Sequence, residues 1–439
     1  MEGKRMEVNM EMNTSTKNWD RSYETKAVIL LAITFGVLSF DRWLVAPLFP
    51  VIMKDLNLDY QSIGNLFGIL AVSWGIFSAI FGGVSDRVGR RKILIPAIVG
   101  FSIFSGLVAF AQGFVTLLMF RALMGIVEGG YTPVAIASTF EASHPKRAGL
   151  NIGIQQCTFA LIGLAFGPLI ATQMLKVLSW RYIFGISVVP GLICAYLCYK
   201  VIREPSHFGS NTESEKKTKW SEVFKYRNVN LNMIGLLGIM SFFFVMAGMT
   251  PVYLTDHLKL SMSEMGFATS AIGFGGFIGS LGLPALSDRI GRKPALYLCF
   301  VIGIVCILIY MNTGKNVPLL FVLLFLMAAC GFGNLIMNTA VIPTESVPPE
   351  LRSSAPGLPI AIGEVFGGGV APVFAGYIAM KYGLYSITYL MVVGWIFASI
   401  VLLFLKETAP IKLAKKEAKR MIINEESGIC PHCGQALIN

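Results

Sequence analysis

Long apolar segments separated by short polar loops run through most of this 439-residue chain. Each segment is about 20 residues or longer, the length an α-helix needs to cross roughly 30 Å of hydrocarbon. Glycine and proline occur within several of them, as membrane helices tolerate. The pattern predicts an all-α membrane protein with twelve transmembrane helices, at about 27–51, 61–84, 93–112, 114–138, 149–175, 180–201, 229–255, 262–285, 294–312, 316–341, 355–380 and 385–406.

A polar stretch in the middle of the chain divides the predicted helices six and six. The division predicts an N-terminal tail, a helical half, a linker, a second helical half and a C-terminal tail, at 1–26, 27–202, 203–228, 229–406 and 407–439. The sequence S-D-R-x-G-R begins at Ser85 and again at Ser287, at the same place in each half. Internal repeats of this kind indicate two pseudo-symmetric halves around a site at the middle of the membrane.

Composition supports this architecture and gives it an orientation. Only 14% of the residues are charged and 54% are hydrophobic, whereas a soluble chain carries about 25% charged residues. With both termini in the cytoplasm, 28 of the 36 Lys and Arg residues fall on the cytoplasmic side, as the positive-inside rule requires. The net charge of +11 then reflects topology, and no nucleic acid is implied. We expect a monomeric, multi-pass protein of the cell (plasma) inner membrane, embedded in the lipid bilayer.

Five charged side chains lie inside predicted spans, namely Asp41, Arg42, Arg121, Glu128 and Glu364. Charges at the bilayer centre cost at least about 2.5–3.5 kcal/mol and mark substrate or ion pathways. At about 1.5 Å per residue, Asp41 and Arg121 both lie roughly 20 Å from the inner face and are expected to pair. Glu128 and Glu364 are expected closer to the cytoplasm, about 9 Å from the inner face. Glu364 has no expected partner, so we expect it to carry a proton. The alternative for each charge is a buried structural ion pair.

Uncharged polar residues in the same spans are further candidates for contact with a solute. The candidates for substrate binding are Arg42, Arg121, Gln155, Gln156, Tyr131, Asn334 and Asn338, and those for proton coupling are Asp41, Glu128 and Glu364. The alternative for the uncharged members is interhelical hydrogen bonding, which is common in helical bundles.

The loop GGVSDRVGRRK, residues 82–92, resembles the signature G-x-x-x-D-R-x-G-R-[RK] of the major facilitator superfamily. The resemblance covers about residues 27–406 and implies a secondary transporter with an alternating-access fold. It also implies that the loops gate transport, with Asp86 accepting from a helix N-terminus or pairing with Arg90. The gating residues it implies are Gly82, Asp86, Arg87, Gly89 and Arg90, with Asp288, Arg289 and Arg292 in the second copy.

Two further motifs resemble the anion:cation symporter family within that superfamily. They are Phe40-Asp41-Arg42 in the first span and Arg121-x-x-x-Gly125-x-x-Glu128-Gly129 in the fourth. The resemblance implies import of a small organic anion, such as a sugar acid or other carboxylate, by proton-coupled symport. It implies that Asp41 and Glu128 couple protons and that Arg42 holds the substrate carboxylate. Spinster-like lipid transporters carry a similar set, so a spinster-like or drug-type proton-coupled exporter of lipids or amphipathic molecules is the alternative.

Other classes of function fit less well. The chain contains no Ser/His/Asp set and no phosphate loop, so we expect no enzyme activity. We expect an anionic substrate and protons as partners, with the proton as coupling ion and no resident cofactor. Cys430 and Cys433 form a C-x-x-C pair, which is half of a zinc ribbon, whereas a closed structural zinc site needs four ligands. A non-transporting receptor is a third hypothesis, disfavoured because the tails are too short for an output domain.

Overall fold

The structure is a computed structural model that describes residues 20–144, 147–204, 220–348, 357–409 and 412. Long helices joined by short loops make up this part of the chain, and no strand occurs in it. We number the long helices α1 (Arg21–Asp55), α2 (Tyr60–Val88), α3 (Arg90–Phe110), α4 (Phe114–Ala142), α5 (Ala148–Met174), α6 (Trp180–Val201), α7 (Arg227–His257), α8 (Met262–Ile290), α9 (Arg292–Asn312), α10 (Val317–Glu345), α11 (Pro359–Tyr382) and α12 (Ser386–Leu403).

Eleven of these helices in the described residues are long and apolar enough to cross a membrane. The twelfth, α2, has 29 residues and occupies the predicted second span, but it is not among the eleven. The all-α prediction is therefore confirmed, while the count of twelve transmembrane helices and their division into two halves stay predictions. Some helices extend past the predicted spans. The helix α1 begins early, at Arg21, because the Asp20 side chain caps it by accepting from the Tyr23 N–H at 2.9 Å.

The two S-D-R-x-G-R loops make the same side-chain contacts. Arg90 donates to one oxygen of Glu141 at 3.1 Å, and Arg292 donates to both oxygens of Glu345 at 3.1 and 2.6 Å. Each arginine also donates to the serine five residues before it, at 2.7 and 2.5 Å. The repeat seen in the sequence thus extends to three-dimensional contacts. We call the end of the molecule that carries these two loops the basic end.

A carboxylate also caps the helix that follows each of these loops. The preceding helix ends in each loop at a glycine of positive φ, Gly89 at 118° and Gly291 at 105°. Glu204 accepts from the second N–H of α3 at 3.2 Å, and Glu407 accepts from the first two N–H groups of α9 at 2.8 and 3.1 Å. These carboxylates supply acceptors for N–H groups that have no partner within the helix, and their charge complements the helix dipole.

Helices α1–α6 and α7–α12 contact each other closely away from the basic end. The Tyr60 hydroxyl donates to Asp256 at 3.1 Å between α2 and α7. Halfway along, α5 and α8 approach so closely that a Cβ added to Gly273 would lie 1.9 Å from the backbone nitrogen of Ala165. Nearer the basic end of the same helix α5, a Cβ added to Gly153 would meet no atom within 4 Å. The close contacts that the described residues show between the two groups of helices therefore lie away from the basic end.

Helices α1 and α11 lose regular hydrogen bonding next to charged residues of the candidate site. The helix α1 has a turn at Leu44, between Arg42 and Pro47. Proline supplies no N–H and its ring crowds the preceding turn, so it weakens the helix there. The helix α11 widens into a π-type turn over Glu364–Val370, a feature that is frequent at functional sites. Each break changes the direction in which a charged side chain or a backbone carbonyl points.

Glycines bring α4 against α2 with backbone contact. A Cβ added to Gly125 would lie 2.5 Å from the Leu70 carbonyl oxygen, and one added to Gly129 would lie 2.7 Å from that of Trp74. Such distances are too short for any side chain, so the two helices can approach this closely only at glycine. Because Glu128 precedes Gly129, this packing also fixes the position of its carboxylate.

We predict that Gly129→Ala destabilises the protein and Gly153→Ala does not. The first change forces two backbones apart and should lower the free energy of unfolding by about 1–3 kcal/mol, as overpacking typically does. The second adds a methyl group in open space and should be neutral or stabilise α5 by up to about 1 kcal/mol. Thermal unfolding of the two purified variants in detergent is the measurement. Equal stability of the two variants would contradict the close packing of α2 on α4.

We also predict a pH-dependent effect of Glu407→Gln on stability. Burial alone would raise the pKa of the Glu407 carboxyl, but hydrogen bonds from the backbone N–H groups of Ala409, Arg292, Lys293 and Thr408 outweigh it and hold the pKa below its ordinary value. The ionised form thus stabilises the fold. The variant should lose about 1 kcal/mol at neutral pH.

The loss should shrink as the pH falls below about 4.3, the ordinary pKa of a glutamate. A carboxyl group whose pKa is lower in the folded state contributes its stability above that value and loses it on protonation. Thermal unfolding of wild type and variant across this pH range is the measurement. A difference that stays constant with pH would show that the charge of Glu407 does not stabilise the cap.

Candidate functional site

Arg42 lies between two buried carboxylates and is the centre of the candidate site. Its Nη2 donates to Glu364 Oε2 at 3.2 Å, and its Nη1 lies 3.7 Å from Glu128 Oε2. We call Arg42, Glu128 and Glu364 the charge cluster. The expectation that Glu364 has no partner is wrong, and so is the depth estimate that separated Glu128 from the charges of the first span. The cluster joins α1 and α4 to α11, across the two groups of helices.

The direction of the side chains explains why the depth estimate failed. Helices α1 and α4 are antiparallel, because Tyr131 contacts the Leu31 carbonyl and Arg121 contacts the Arg42 carbonyl. Side chains lean toward the N-terminus of their own helix. Because α1 and α4 are antiparallel, the side chains of Arg42 and Glu128 lean toward each other. The long arginine side chain then spans the remaining distance, although the two Cα atoms lie at different depths in the membrane.

Aromatic rings surround the Arg42 guanidinium on its remaining sides. Its central carbon lies 5.5 Å from the Trp74 ring centroid and 5.8 Å from that of Phe244. Rings at this distance attract a cation through their quadrupole. Arg42 is 2% exposed and Glu128 is fully buried, whereas the Glu364 side chain is 13% exposed. Glu364 is therefore the member of the charge cluster that solvent reaches.

Arg121 is a second buried cation, and it has no carboxylate partner among the described residues. Its Nη2 donates to the Arg42 carbonyl oxygen at 2.8 Å, and its Nη1 contacts the Met124 sulfur at 3.7 Å. Its guanidinium also lies 5.6 Å from the Phe67 ring centroid, and its Nε has no hydrogen-bond partner. A buried guanidinium in this state has unused capacity to bind an anion.

Asp41 does not pair with Arg121, contrary to the expectation from their equal depth. The two residues are level along the helices, but side chains of antiparallel helices at the same level lean apart. Asp41 is fully buried and forms no ion pair within 4 Å among the described residues. It lies instead beside the hydroxyl groups of Ser105 and Ser187, on α3 and α6. It is thus separate from the charge cluster.

The uncharged candidates are distributed over the molecule. Tyr131 is fully buried and its hydroxyl donates to the Leu31 carbonyl at 3.2 Å, so it packs within α1–α6 and is not brought to the charge cluster. Gln155 is fully buried, and neither its Nε2 nor its Oε1 has a hydrogen-bond partner among the described residues, while Gln156 is partly exposed. Asn334 and Asn338 each donate to the carbonyl four residues earlier, which leaves both side-chain oxygens unpaired.

The gating residues are described only in part. The side chains of Gly82, Asp86 and Arg87 lie outside the described part of the structure, although all three belong to α2. Asp288 accepts from Arg292 at 2.6 Å, and Arg289 forms no ion pair with a described residue. The latch predicted for Asp86 stays a prediction.

The described residues contain no group of three or more His, Cys, Asp or Glu side chains able to hold a metal ion. The candidate zinc ligands Cys430 and Cys433 lie outside the described residues.

Sequence reasoning missed several residues that the structure brings into contact. The carboxylates Glu141, Glu204, Glu345 and Glu407 contact the repeated loops, and a search for a glutamate at the end of equivalent spans in each half would have found them. Trp74 and Phe244, which face Arg42, and Ser105 and Ser187, which face Asp41, have no signal in the sequence. Aromatic and serine residues are too common in membrane helices for their position alone to indicate a role.

Comparison with known proteins places the chain in a family. The Major Facilitator Superfamily profile matches residues 31–359 and 231–431. The chain is 30% identical to a probable 4-methylmuconolactone transporter of Cupriavidus pinatubonensis, over 85% of this chain and 89% of the relative. It is 28% identical to the sialic acid transporter NanX of Escherichia coli, over 86% and 92%.

A solved structure has the same fold. It is a bacterial homologue of the human lysosomal transporter Spinster, in an inward-facing and unoccupied conformation. The TM-score is 0.73 at 18% identity, and the alignment covers 87% of this chain and 96% of that one. The chain therefore belongs to the Major Facilitator Superfamily and is a transporter, not an enzyme, with the motifs of the anion:cation symporter type.

Proposed function

We propose that this protein is a proton-coupled symporter that imports a small organic anion by alternating access. The observation that carries the proposal is the single guanidinium of Arg42 held between Glu128 and Glu364, at 3.7 and 3.2 Å. Two carboxylates on one cation form a site in which an anion and protons necessarily influence each other's binding.

The linkage follows from the charges. When both glutamates are ionised, an anion that approaches Arg42 meets two competing carboxylates of its own sign. A pair of unit charges about 4 Å apart interacts by about 4 kcal/mol at an effective dielectric constant of 20. Protonation of one glutamate removes a repulsion of this order and frees guanidinium hydrogens for the substrate. Proton and anion therefore bind with positive linkage, and the linkage is reciprocal.

The position of Glu364 provides a route for the proton. Glu364 is the exposed member of the charge cluster, and it lies on α11, whereas Arg42 lies on α1. The described contacts between α1–α6 and α7–α12 lie away from the basic end, and a Cβ added to Gly153, nearer that end, would meet no described atom within 4 Å. Protons and substrate reach the charge cluster from that side in this conformation. Rearrangement of α7–α12 against α1–α6 then moves the opening to the other end.

The substrate class follows from the same side chains. Arg42 and Arg121 present planar guanidinium groups that match the two oxygens of a carboxylate. The side-chain oxygens of Asn334 and Asn338, which have no partner among the described residues, could accept hydrogen bonds from hydroxyl groups. We therefore propose a small carboxylated solute such as a sugar acid. The sialic acid transporter and the probable methylmuconolactone transporter support this choice as relatives of this chain.

We predict pH-driven uptake of at least one carboxylated solute by wild type, and its loss in Arg42→Lys. Lysine keeps the charge but cannot make two parallel hydrogen bonds to a carboxylate. Loss of one charge-assisted hydrogen bond should weaken uptake by roughly tenfold or more. The measurement is uptake of radiolabelled organic acids, sialic acid among them, into proteoliposomes with and without an inward proton gradient. Arg181→Lys, which changes an arginine outside the charge cluster, is the matched control.

The result also decides between the proposal and the exporter reading. If neutral amphipathic molecules are transported and no carboxylated solute is, the protein is an exporter of the spinster or drug type. If Arg42→Lys carries the acid as well as wild type does, Arg42 does not bind the substrate.

We further predict that Glu128→Gln and Glu364→Gln separate exchange from accumulation. Glutamine resembles the protonated acid, so the substrate can still bind and exchange across the membrane. The proton step is lost, so the substrate can no longer be concentrated on a pH gradient. The measurement compares accumulation with counterflow in the same proteoliposomes, and Glu222→Gln, outside both the charge cluster and the repeated loops, is the control for a general effect of removing a carboxylate. If one of these variants still accumulates substrate on a pH gradient, the residue that it changes does not couple protons to transport.

A further inference from the structure

Of the three carboxylates in the predicted spans, Asp41 is the one that does not belong to the charge cluster. It adjoins Arg42 in sequence but faces the interior of the bundle formed by α1, α3 and α6. Its carboxylate is fully buried, and among the described residues neither oxygen has a hydrogen-bond partner and no cation lies within 4 Å. An ionised carboxylate in such surroundings is so unfavourable that the group takes up a proton instead. The structure therefore holds Asp41 in its neutral form.

Two serine hydroxyls lie beside this carboxylate and are directed elsewhere. Ser105 on α3 and Ser187 on α6 have their Oγ atoms 3.1 Å apart, and Ser187 donates to the Phe184 carbonyl at 3.0 Å. With Ser187 donating to the backbone, Ser105 is the donor between the two hydroxyls. Both hydroxyl hydrogens are thus used away from Asp41. A hydroxyl group rotates about its C–O bond, so the same two hydrogens can turn to a different acceptor.

We propose that Ser105 and Ser187 are positioning residues that switch their hydrogen bonds with the protonation of Asp41. While Asp41 is neutral, the hydroxyls bond to each other and to Phe184. When the Asp41 O–H bond breaks, the proton leaves to water and the electron pair stays on the carboxylate. Both hydroxyls then rotate and donate to the new anion. The pair therefore allows a dry carboxyl group to release its proton, which the proposed symport requires.

None of the charged and titratable groups described around Asp41 takes the place of the two serine hydroxyls as donors to the Asp41 anion. From α4, Arg121 and Glu128 are the charged groups nearest to Asp41, and neither forms an ion pair with it among the described residues. From α6 the neighbouring titratable group is the thiol of Cys194, a weak donor. On α1 itself, the Arg42 guanidinium is directed to the charge cluster. The serine hydroxyls are the neutral donors that can stabilise the anion without adding a fixed charge.

The test is the protonation of Asp41 itself, followed by infrared difference spectroscopy of the carboxylic acid carbonyl band in liposomes. Asp41→Asn assigns the band. In Ser105→Ala/Ser187→Ala the midpoint of its titration should move to higher pH, by tenfold or more in proton affinity, because hydrogen bonds to a charged group are lost. Ser105→Thr keeps the hydroxyl and should titrate as wild type does.

The matched control is Ser102→Ala. Ser102 lies one turn earlier on α3, is equally buried, and donates to the Ile98 carbonyl of its own helix at 2.8 Å. Its removal should leave the titration unchanged. If Ser105→Ala/Ser187→Ala titrates like Ser102→Ala, the proposal is wrong. If the double variant does not fold, each single alanine variant compared with Ser105→Thr gives the same decision.

A transport measurement separates this inference from the proposed function on which it rests. In proteoliposomes, Ser105→Ala/Ser187→Ala should retain counterflow of sialic acid or another accepted acid and lose pH-driven accumulation. An alkaline lumen should restore accumulation, because it assists release of the tightly held proton. Failure of wild type to move any acid on a pH gradient would reject the proposed symport, while the infrared titration would still decide the role of the serines.

Discussion

The ion pairs of Arg42 are the interaction on which the arrangement of this transporter depends. Arg42 and Glu364 are separated by 322 positions in the chain, yet their charged atoms lie 3.2 Å apart. The contact joins α1 to α11, and Glu128 on α4 completes it. A buried charge without a partner is strongly destabilising. The three helices therefore have to meet at one level in the membrane, and the packing around them has to hold that level.

Glycine and aromatic residues supply that packing. Gly125 and Gly129 allow α4 to contact the backbone of α2, and this packing fixes the position of Glu128. Trp74 of α2 and Phe244 of α7 cover the guanidinium from two sides. The same rings exclude water, so the charges interact more strongly than they would in solvent. The same glycine and aromatic contacts thus pack the helices closely and strengthen the electrostatic interactions among Arg42, Glu128 and Glu364.

The repeated loops at the basic end solve a different physical problem. Each chain reversal there leaves the first N–H groups of the next helix without partners. Glu204 and Glu407 reach these groups from the ends of α6 and α12, and Arg90 and Arg292 bind glutamates from α4 and α10. A loop of a few residues is thereby tied to two other helices. Movement at this end must then carry the connected helices together.

The sequence by itself determined the features that depend on composition and spacing. Apolar length set the spans, because hydrocarbon thickness fixes the length of a helix that crosses it. Charges inside spans identified the candidate site residues, because a charge in hydrocarbon is costly and marks a substrate or ion pathway. The S-D-R-x-G-R repeat located the equivalent loops, whose contacts then proved to match. Each of these features is a local property of the chain.

Only the tertiary structure decided which charges meet. Depth counted along the helix axis paired Asp41 with Arg121 and left Glu364 alone, whereas the structure pairs Arg42 with Glu128 and Glu364. Counting residues gives the height of a Cα atom, but contact depends on helix rotation, on the lean of the side chain toward its N-terminus and on its length. Asp41 and Arg42 are neighbours in sequence and about 100° apart around α1. Arg42 therefore faces the other members of the charge cluster, whereas Asp41 faces two serines. Their adjacency in the sequence does not reveal that the two side chains point in different directions.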